Sequence, residues 1–515
     1  MELSGIRLFV VYLLLLSIDA QSPQPQIRWF TQKVDHFNPQ SNQTFQQKYL
    51  VYDKYWIVNE SKTGPIFFYA GNEGPIEEFW NATGLMFEMA PQFGALVVFG
   101  EHRYYGASVP TANSFEFLTI EQTIADYALL LSSLQSNISG LYKFVSPSSY
   151  VQTVAFGGSY GGVLSALCRI HYPWIVDMAL ASSAPWYLLL GLVNDNSYYR
   201  IITEVFQSYN GQCVDIVRSA FSSLNQLLYQ WKQFELVTNL FGLCEEMLTE
   251  DEDIEWFYLW IKNAFGNLAI SNYPYAIGSL PSWPLEYGCT VMLNAFWESS
   301  DSDLASIYAL ANLTNYYYFN NSNYPWDTQS HCFNTTKDFP FCSDHIWCGT
   351  GVSAQVWNYQ QCTQVVINAI TNNITDMFPP SLWDIANMTS YCAEKYGANL
   401  NLEEEIQWMR IWEPQDIVET GIDKIIFSTG MIDPWSAGGF LSNNLSYDMP
   451  VILIEDAAHH LDLRWSNPSD PISVVLARKE EIEYIQMWLN KDFSIKKIIM
   501  GGKKKENNND NGVEA

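Results

Sequence analysis

YVQTVAFGGSYGGVLSALCRIHYP, residues 150–173, decides how the rest of the chain is read. It opens on an apolar, β-branched run, residues 151–156, that reads as a buried strand. The run ends in Gly157-Gly158-Ser159-Tyr160-Gly161-Gly162. Apolar residues then recur at helical spacing at Val163, Leu164, Leu167 and Ile170. Strand, glycine-rich turn and helix, with serine between small residues, is the context of a G-x-S-x-G nucleophile elbow. A serine on so sharp a turn has strained backbone angles and needs small neighbours, which Gly157 and Gly161 supply. Its hydroxyl is held at a helix N-terminus, whose dipole favours a developing negative charge. A phosphate-binding loop would need a lysine after the glycines, and none follows.

The elbow sits in a chain of 515 residues, which is long for one core and suggests two domains or one domain with a large insertion. The net charge of −29 argues against nucleic acid and anionic membrane surfaces as partners. Residues 1–20 read as a targeting segment, with Arg7 before a short apolar run and Ala20 at the cleavage position. No later stretch is long enough to span a bilayer. The mature chain is expected to begin near Gln21 and to enter the secretory pathway, lysosomal or extracellular. Ten N-glycosylation sequons agree: Asn42, Asn59, Asn81, Asn137, Asn312, Asn320, Asn334, Asn373, Asn387 and Asn444. Of nine cysteines, eight fall between Cys213 and Cys392, which reads as a disulfide-stapled segment. Cys342 and Cys348 lack a second pair at finger spacing, so no metal is expected, and no cofactor.

Residues 27–58 suggest edge strands. Residues 65–70 and 95–100 read as buried strands, the first followed by Gly71-Asn72-Glu73-Gly74 and the second by Glu101-His102-Arg103-Tyr104-Tyr105-Gly106. Residues 119–134 look like an amphipathic helix, and 179–183 like a further strand. Strands alternating with helices imply a parallel, doubly wound α/β sheet. From residue 190 to about 415 the chain turns aromatic, cysteine-rich and helical in period, which reads as one inserted helical domain. The alternation then resumes with strands at 424–428 and 451–454 and a terminal helix at 476–492. The domains expected are thus 21–189, 190–415 and 416–499, with a disordered polar tail at 500–515.

A hydroxyl needs a base, and the base an orienting acid. In α/β-hydrolases the order is Ser, Asp or Glu, then His. Asp433 follows the strand at 424–428, and His459 and His460 follow the strand at 451–454, so both loops fall at the C-terminal edge of the sheet, where such sites gather. The backbone N–H groups of Tyr160 and Asn72 are the candidate oxyanion hole.

Together PIFFYAGNEG, EHRYYG, FGGSYGG, DPWSAGG and AHHLDLR resemble the post-proline serine exopeptidases, the family of lysosomal Pro-X carboxypeptidase, dipeptidyl peptidase II and thymus-specific serine protease. The resemblance runs from about residue 29 to 492. It implies an α/β-hydrolase domain interrupted by a helical cap, with Ser159 as nucleophile, Asp433 as acid, His459 rather than His460 as base, and Trp435 lining a proline pocket. The segment 341–351, with Cys342-Ser343-Asp344 leading to Cys348, is more similar to dipeptidyl peptidase II, where such a hairpin presents an aspartate to the substrate's amino terminus. Asp344 takes that place, which implies release of N-terminal Xaa-Pro dipeptides. The resemblance also implies the pairs Cys213–Cys289, Cys244–Cys332, Cys342–Cys348 and Cys362–Cys392, leaving Cys168 free. Val163 departs from the family's frequent Met.

Two other functions stay open at this point. One is a Pro-X carboxypeptidase, removing the residue after proline. The other, of a different class, is a catalytically silent hydrolase fold used for binding. The partners expected are peptides with proline at the cleavage site; a homodimer stays open.

Overall fold

The computed structural model describes residues 22–58, 63–141, 151–189, 193, 196–302, 304–320, 332–335, 351–367, 369–381, 385–397, 414–442, 445–446 and 448–506. Strands that are nearly continuous apolar runs are those buried on both faces of a sheet. Such strands form the centre: β3 (Ile66–Ala70), β4 (Leu96–Gly100), β5 (Thr153–Gly158), β6 (Met178–Ser182) and β7 (Ile425–Gly430) are buried at every residue. With β1 (Gln26–Lys33), β2 (Thr44–Tyr52) and β8 (Val451–Ile454) they make one eight-stranded sheet of order β1-β2-β4-β3-β5-β6-β7-β8. The β1/β2 hairpin and its join to β4 are antiparallel, and every other pairing is parallel.

Alternate residues of each strand serve opposite cores. Phe68, Val98, Ala155 and Ala181 face the helices Ile120–Leu141 and Tyr160–His171. Phe67, Phe99, Phe156 and Leu180 face Trp80, Phe87, Ile485 and Trp488 on the other side. The sheet is therefore doubly wound, as the alternation of strands and helices predicts. The fold is that of an α/β-hydrolase.

The structure moves some boundaries. β5 begins at Thr153 and runs through Gly158, because Gly157 and Gly158 pair with Ala181 and Ser182 and are held extended. The helix expected at 119–134 is Ile120–Leu141. The terminal helix is Ile472–Glu506, so it passes residue 492 and enters the stretch expected to be a polar tail.

Between β6 and β7 the named elements are helical, from Trp186–Leu189 to Pro414–Glu419. Disulfides join Cys213 to Cys289, Cys244 to Cys332, and Cys362 to Cys392. The first two close loops of 76 and 88 residues. For loops of that size, chain-entropy accounting gives stabilisation of roughly 4–5 kcal/mol each. Cys168 is free and buried on the helix Tyr160–His171, and burial pushes its thiol pKa up. Among the described residues no helix is long and apolar enough to cross a membrane.

One buried ion pair ties the β1 end of the sheet to its flanking helix. Arg103 Nε and Nη2 donate to the two Asp126 oxygens, each at 2.7 Å. Arg103 also donates to the carbonyls of Lys33, Val34 and Phe117. His36 Nε2 lies 2.7 Å from Asp126 Oδ1. Removing one partner leaves an uncompensated buried charge. Asp126→Ala is therefore expected to destabilise the protein by about 3–5 kcal/mol, and Arg103→Lys, which loses the planar fork, to destabilise it as well. Thermal or urea melts check this; an Asp126→Ala melt that overlays wild type refutes it.

Candidate active site

The register of the parallel strands brings the ends of β5, β6, β7 and β8 level, with Gly158 beside Ser182, Ser182 beside Ser428, and Gly430 beside Ile454. The chain after each of these ends supplies one part of the site. Ser159, directly after β5, has φ 59° and ψ −131°, a conformation that L-residues rarely adopt. Its amide N–H donates to Ser182 O at 2.9 Å, and its carbonyl accepts from Gly162 N and Val163 N as the helix starts. Gly157 leaves no room for a side chain, and Gly158 leaves little. A Cβ on Gly157 would lie 1.9 Å from Gly161 O, and one on Gly158 would lie 3.0 Å from the His460 ring. The side chain of Ser159 remains partly accessible.

The loop after β7 carries Asp433, which is fully buried. Its Oδ1 accepts from Trp435 N at 3.0 Å, which caps the short helix Pro434–Gly438. Its Oδ2 lies 2.7 Å from His459 Nδ1, so the acid fixes the ring and leaves Nε2 for another partner. The loop after β8 holds His459 through the inserted helices: Tyr273 OH donates to His459 O at 2.9 Å, and His459 N to Ile270 O at 3.4 Å. Gly430 permits the two loops to close, since a Cβ there would meet Ala457 O at 2.3 Å. His460 has φ 38° and donates its backbone N–H to Ser183 Oγ at 2.8 Å. Burial, and then the neighbouring His459 and Arg464, hold its imidazole pKa well below the ordinary value, so it is neutral.

The structure thus brings Asp433 and His459 into direct contact, and seats the histidine loop against the elbow through His460 and Gly158. Among the described residues no hydrogen bond joins Ser159 Oγ to His459. Such contacts are often long in an unliganded site and tighten in the substrate complex. The amides of Asn72 and Tyr160 are not used by the turn and loop bonds around them. Gly161 lies close to the Asn72 side chain, with an added Cβ 3.0 Å from Asn72 Oδ1, so the β3 loop abuts the start of the elbow helix. This arrangement can activate a hydroxyl and receive an oxyanion.

Trp435 stands beside the histidine at 6.3 Å between ring centroids, with Tyr198 edge-on at 5.2 Å. Behind it is a cavity of about 20 Å³ lined by Tyr199, Lys262 and Asn267, among others. That is room for about one water and not for a pyrrolidine ring. Lys262 is buried there over the Tyr199 ring, and burial pulls its pKa down to about 8. Val163 belongs to the buried core on the elbow-helix side.

Other polar groups of the site were not singled out from sequence. Tyr160 OH accepts from Gln360 Nε2 at 2.5 Å, and His102 Nε2 lies 3.2 Å away. Tyr105 OH donates to Gln360 Oε1 at 2.8 Å. The inserted segment is thereby bonded to the residue after Ser159. Burial pulls the His102 pKa down to about 4. The signal in the sequence was Glu101-His102-Arg103, a polar run at the end of an apolar strand.

Below the histidine loop, Asp462 accepts from Ser182 Oγ and Ser428 Oγ, both at 2.6 Å. Arg478 donates to the carbonyls of Asp462 and Leu461, each at 2.8 Å. Glu481 is fully buried nearby. Burial first, and then the Asp462 carboxylate, push its carboxyl pKa well above the usual range.

Asp344, Cys342 and Cys348 lie outside the described residues, as do residues 1–20, Asn59 and Asn444. Among the sequons, Asn42, Asn81, Asn312, Asn373 and Asn387 are exposed, as attachment of a glycan requires. Asn334 is half-buried, and nothing is described for the side chains of Asn137 and Asn320. Among the described residues no group of three or more His, Cys, Asp or Glu could hold a metal.

Comparison with known proteins adds to this geometry. The family model for serine carboxypeptidase S28 matches residues 32–481. The chain is 35% identical to mouse (Mus musculus) lysosomal Pro-X carboxypeptidase over 473 residues, covering 90% of this chain and 89% of the relative. It is 34% identical to the human (Homo sapiens) protein of the same name over 487 residues, 93% of this chain and 90% of the relative. A Caenorhabditis elegans prolyl carboxy peptidase like protein 5 is 30% identical over 449 residues, 83% of each chain.

Glu481 makes a signed prediction. Between the ordinary carboxyl range and its raised value, the folded state keeps a proton that the unfolded state has released. Stability should therefore fall as pH rises through that window. Glu481→Gln should flatten the decline in Tm as pH rises above the ordinary carboxyl range. A pH series of melts that shows parallel slopes for variant and wild type would refute this.

Proposed function

The chain belongs to the serine carboxypeptidase S28 family and is a serine peptidase; from that premise we propose that it is an exopeptidase cleaving after proline, with Ser159 as nucleophile, His459 as base and Asp433 as acid. The observation that carries this reading is the 2.7 Å contact between Asp433 and His459 in loops that close on a strained serine elbow. His459 Nε2 takes the Ser159 proton as Oγ attacks the carbonyl carbon of the proline, while the Asn72 and Tyr160 amides receive the oxyanion. The imidazolium, stabilised by Asp433, then protonates the leaving amine, and water repeats the cycle to release the acyl group. Trp435 forms an apolar wall for the proline ring.

For the end of the peptide that is read, removal of a C-terminal residue is placed first. The support is identity of 34–35% to proteins named lysosomal Pro-X carboxypeptidase over nine-tenths of the chain. This reverses the order suggested by sequence motifs. The second reading, release of N-terminal Xaa-Pro dipeptides, rests on Asp344 between Cys342 and Cys348. Filled triad positions argue against the silent binding protein. The disulfides fit an oxidising compartment, and the relatives' names favour the lysosome over the extracellular space.

Ser159→Ala should leave the melt unchanged and remove turnover; residual activity above a tenth of wild type, roughly 1.4 kcal/mol of barrier, would refute the nucleophile. His459→Gln should cost orders of magnitude and His460→Gln less. Side-by-side assays of an N-blocked peptide ending Pro-Xaa and a free-amine Xaa-Pro amide separate the two readings. Cleavage of the second alone, with a steep rise in KM on Asp344→Asn, would establish dipeptide release instead.

A further inference from the structure

Ser159 sits at φ 59° and ψ −131°, and the peptide it shares with Tyr160 carries an amide that, on the triad reading, receives the oxyanion. A strained residue keeps its angles only where the surrounding structure over-determines them. On the strand side, Ser182 O holds the Ser159 N–H. On the helix side, Gly162 N and Val163 N donate to the Ser159 carbonyl, but both belong to the helix that starts there and move with it. They cannot fix this peptide against the rest of the molecule. The Tyr160 side chain can. Its ring is buried and packs against His102 and Trp357, at 5.7 Å and 5.4 Å between centroids. Its hydroxyl lies 2.5 Å from Gln360 Nε2 and 3.2 Å from His102 Nε2.

The direction of each of these bonds can be worked out. His102 Nδ1 lies 2.7 Å from Arg103 O, and a carbonyl only accepts, so Nδ1 carries the proton. Burial keeps the ring neutral, so its Nε2 accepts, and Tyr160 must donate its O–H there. The Tyr160 oxygen is then left to accept, and Gln360 must offer it an N–H. The other end of the amide, Oε1, accepts from Tyr105 OH at 2.8 Å. Gln360 is completely buried, and each end of its amide is used once. It stands on the helix Gly351–Gln361 of the inserted segment, 200 residues beyond Tyr160. That segment is itself docked on the hydrolase core. Ile120 N donates to Gln364 Oε1 at 2.9 Å, Val366 N donates to Leu189 O at 3.1 Å, and Val356 packs with Tyr104, Tyr105 and Leu118.

Resting on the reading in which the Tyr160 amide receives the oxyanion, we propose that Gln360 is a positioning residue for that amide: by holding the Tyr160 hydroxyl from the inserted segment, it stops the strained Ser159–Tyr160 peptide from relaxing out of line. Gln360 touches neither Ser159 nor His459 in this scheme, and it acts through Tyr160 alone. A donor aimed at the oxyanion is worth most when it needs no reorganisation as charge develops, and a small misplacement is expensive. The interaction matters in the transition state and not in substrate binding, so its loss belongs in kcat and not in KM.

The test uses Gln360→Met, which keeps the length of the side chain and removes both hydrogen bonds. The substrate is whichever of an N-blocked Pro-Xaa peptide or a free-amine Xaa-Pro amide the wild type cleaves, and kcat is counted per site titrated with an active-site phosphonate, so that unfolded protein does not enter. Gln360→Met should lower kcat by roughly ten- to a hundredfold, part of what loss of a whole oxyanion donor costs, with KM within about twofold of wild type. Affinity for a peptide boronic acid ending in boroproline, which forms a tetrahedral adduct, should fall by the same factor as kcat, while affinity for the proline-ending product should stay unchanged. In a Tyr160→Phe background Gln360→Met should cost little more, because the link is already cut. Losses that simply multiply would overturn the proposal, as would a rise in KM matched by equal weakening of boronic acid and product, which would make Gln360 part of the substrate pocket. Wild-type kcat and boronic acid affinity in Gln360→Met would also overturn it and leave the triad reading intact. Should Gln360→Met yield no folded protein, Tyr105→Phe, which frees the far end of the Gln360 amide, carries the same expected split between kcat and KM, and an unchanged kcat there refutes the assignment. If the wild type binds the boronic acid no more tightly than the product, the triad and oxyanion reading itself has failed.

Discussion

The constraint on which the site depends is steric: the chain must turn from β5 into a helix within one residue. Ser159 takes a positive φ, and Gly157 approaches Gly161 so closely that a methyl group would overlap its carbonyl oxygen. Because the turn is this tight, the helix that follows packs directly on the sheet, and its first amide and Ser159 emerge together at the strand end. The buried strands on either side hold the turn in place. Ser182, at the end of β6, accepts the Ser159 N–H, and through its hydroxyl it also contacts Asp462 in the histidine loop. Strain at the serine is thus held by hydrogen bonds from neighbouring strands.

Electrostatics around the turn is arranged by burial more than by salt bridges. Asp433 is sealed and spends its oxygens on Trp435 N and His459 Nδ1. Burial lowers the pKa values of His460 and His102, and Asp433 is the carboxylate in direct contact with His459. The carboxyls of Glu73 and Glu481 are both displaced upward.

The inserted helices take part in this construction. Tyr273 and Ile270 hold the backbone of His459, Tyr198 stands on Trp435, and Gln360 reaches the hydroxyl of Tyr160. Disulfides limit how far the insert can drift in the unfolded chain, and that constraint helps residues so distant in sequence to meet at one strand edge.

Local chemistry made much of this legible in the sequence. Short apolar runs alternating with helical patterns read as central strands, a serine among glycines between a strand and a helix reads as a tight turn, and Asp433 and His459 each follow such a run, so the α/β fold and the candidate triad could be read without coordinates. Strand ends were less legible: Gly157 and Gly158 look like turn residues, and only pairing with β6 makes them strand. Burial of lone polar side chains was not legible at all. Nothing in the letters of Gln360 or Glu481 distinguishes them from solvated residues. Their protonation and partners follow from which distant elements close over them, and that is decided by tertiary packing, because desolvation depends on the whole surrounding volume and not on sequence neighbours.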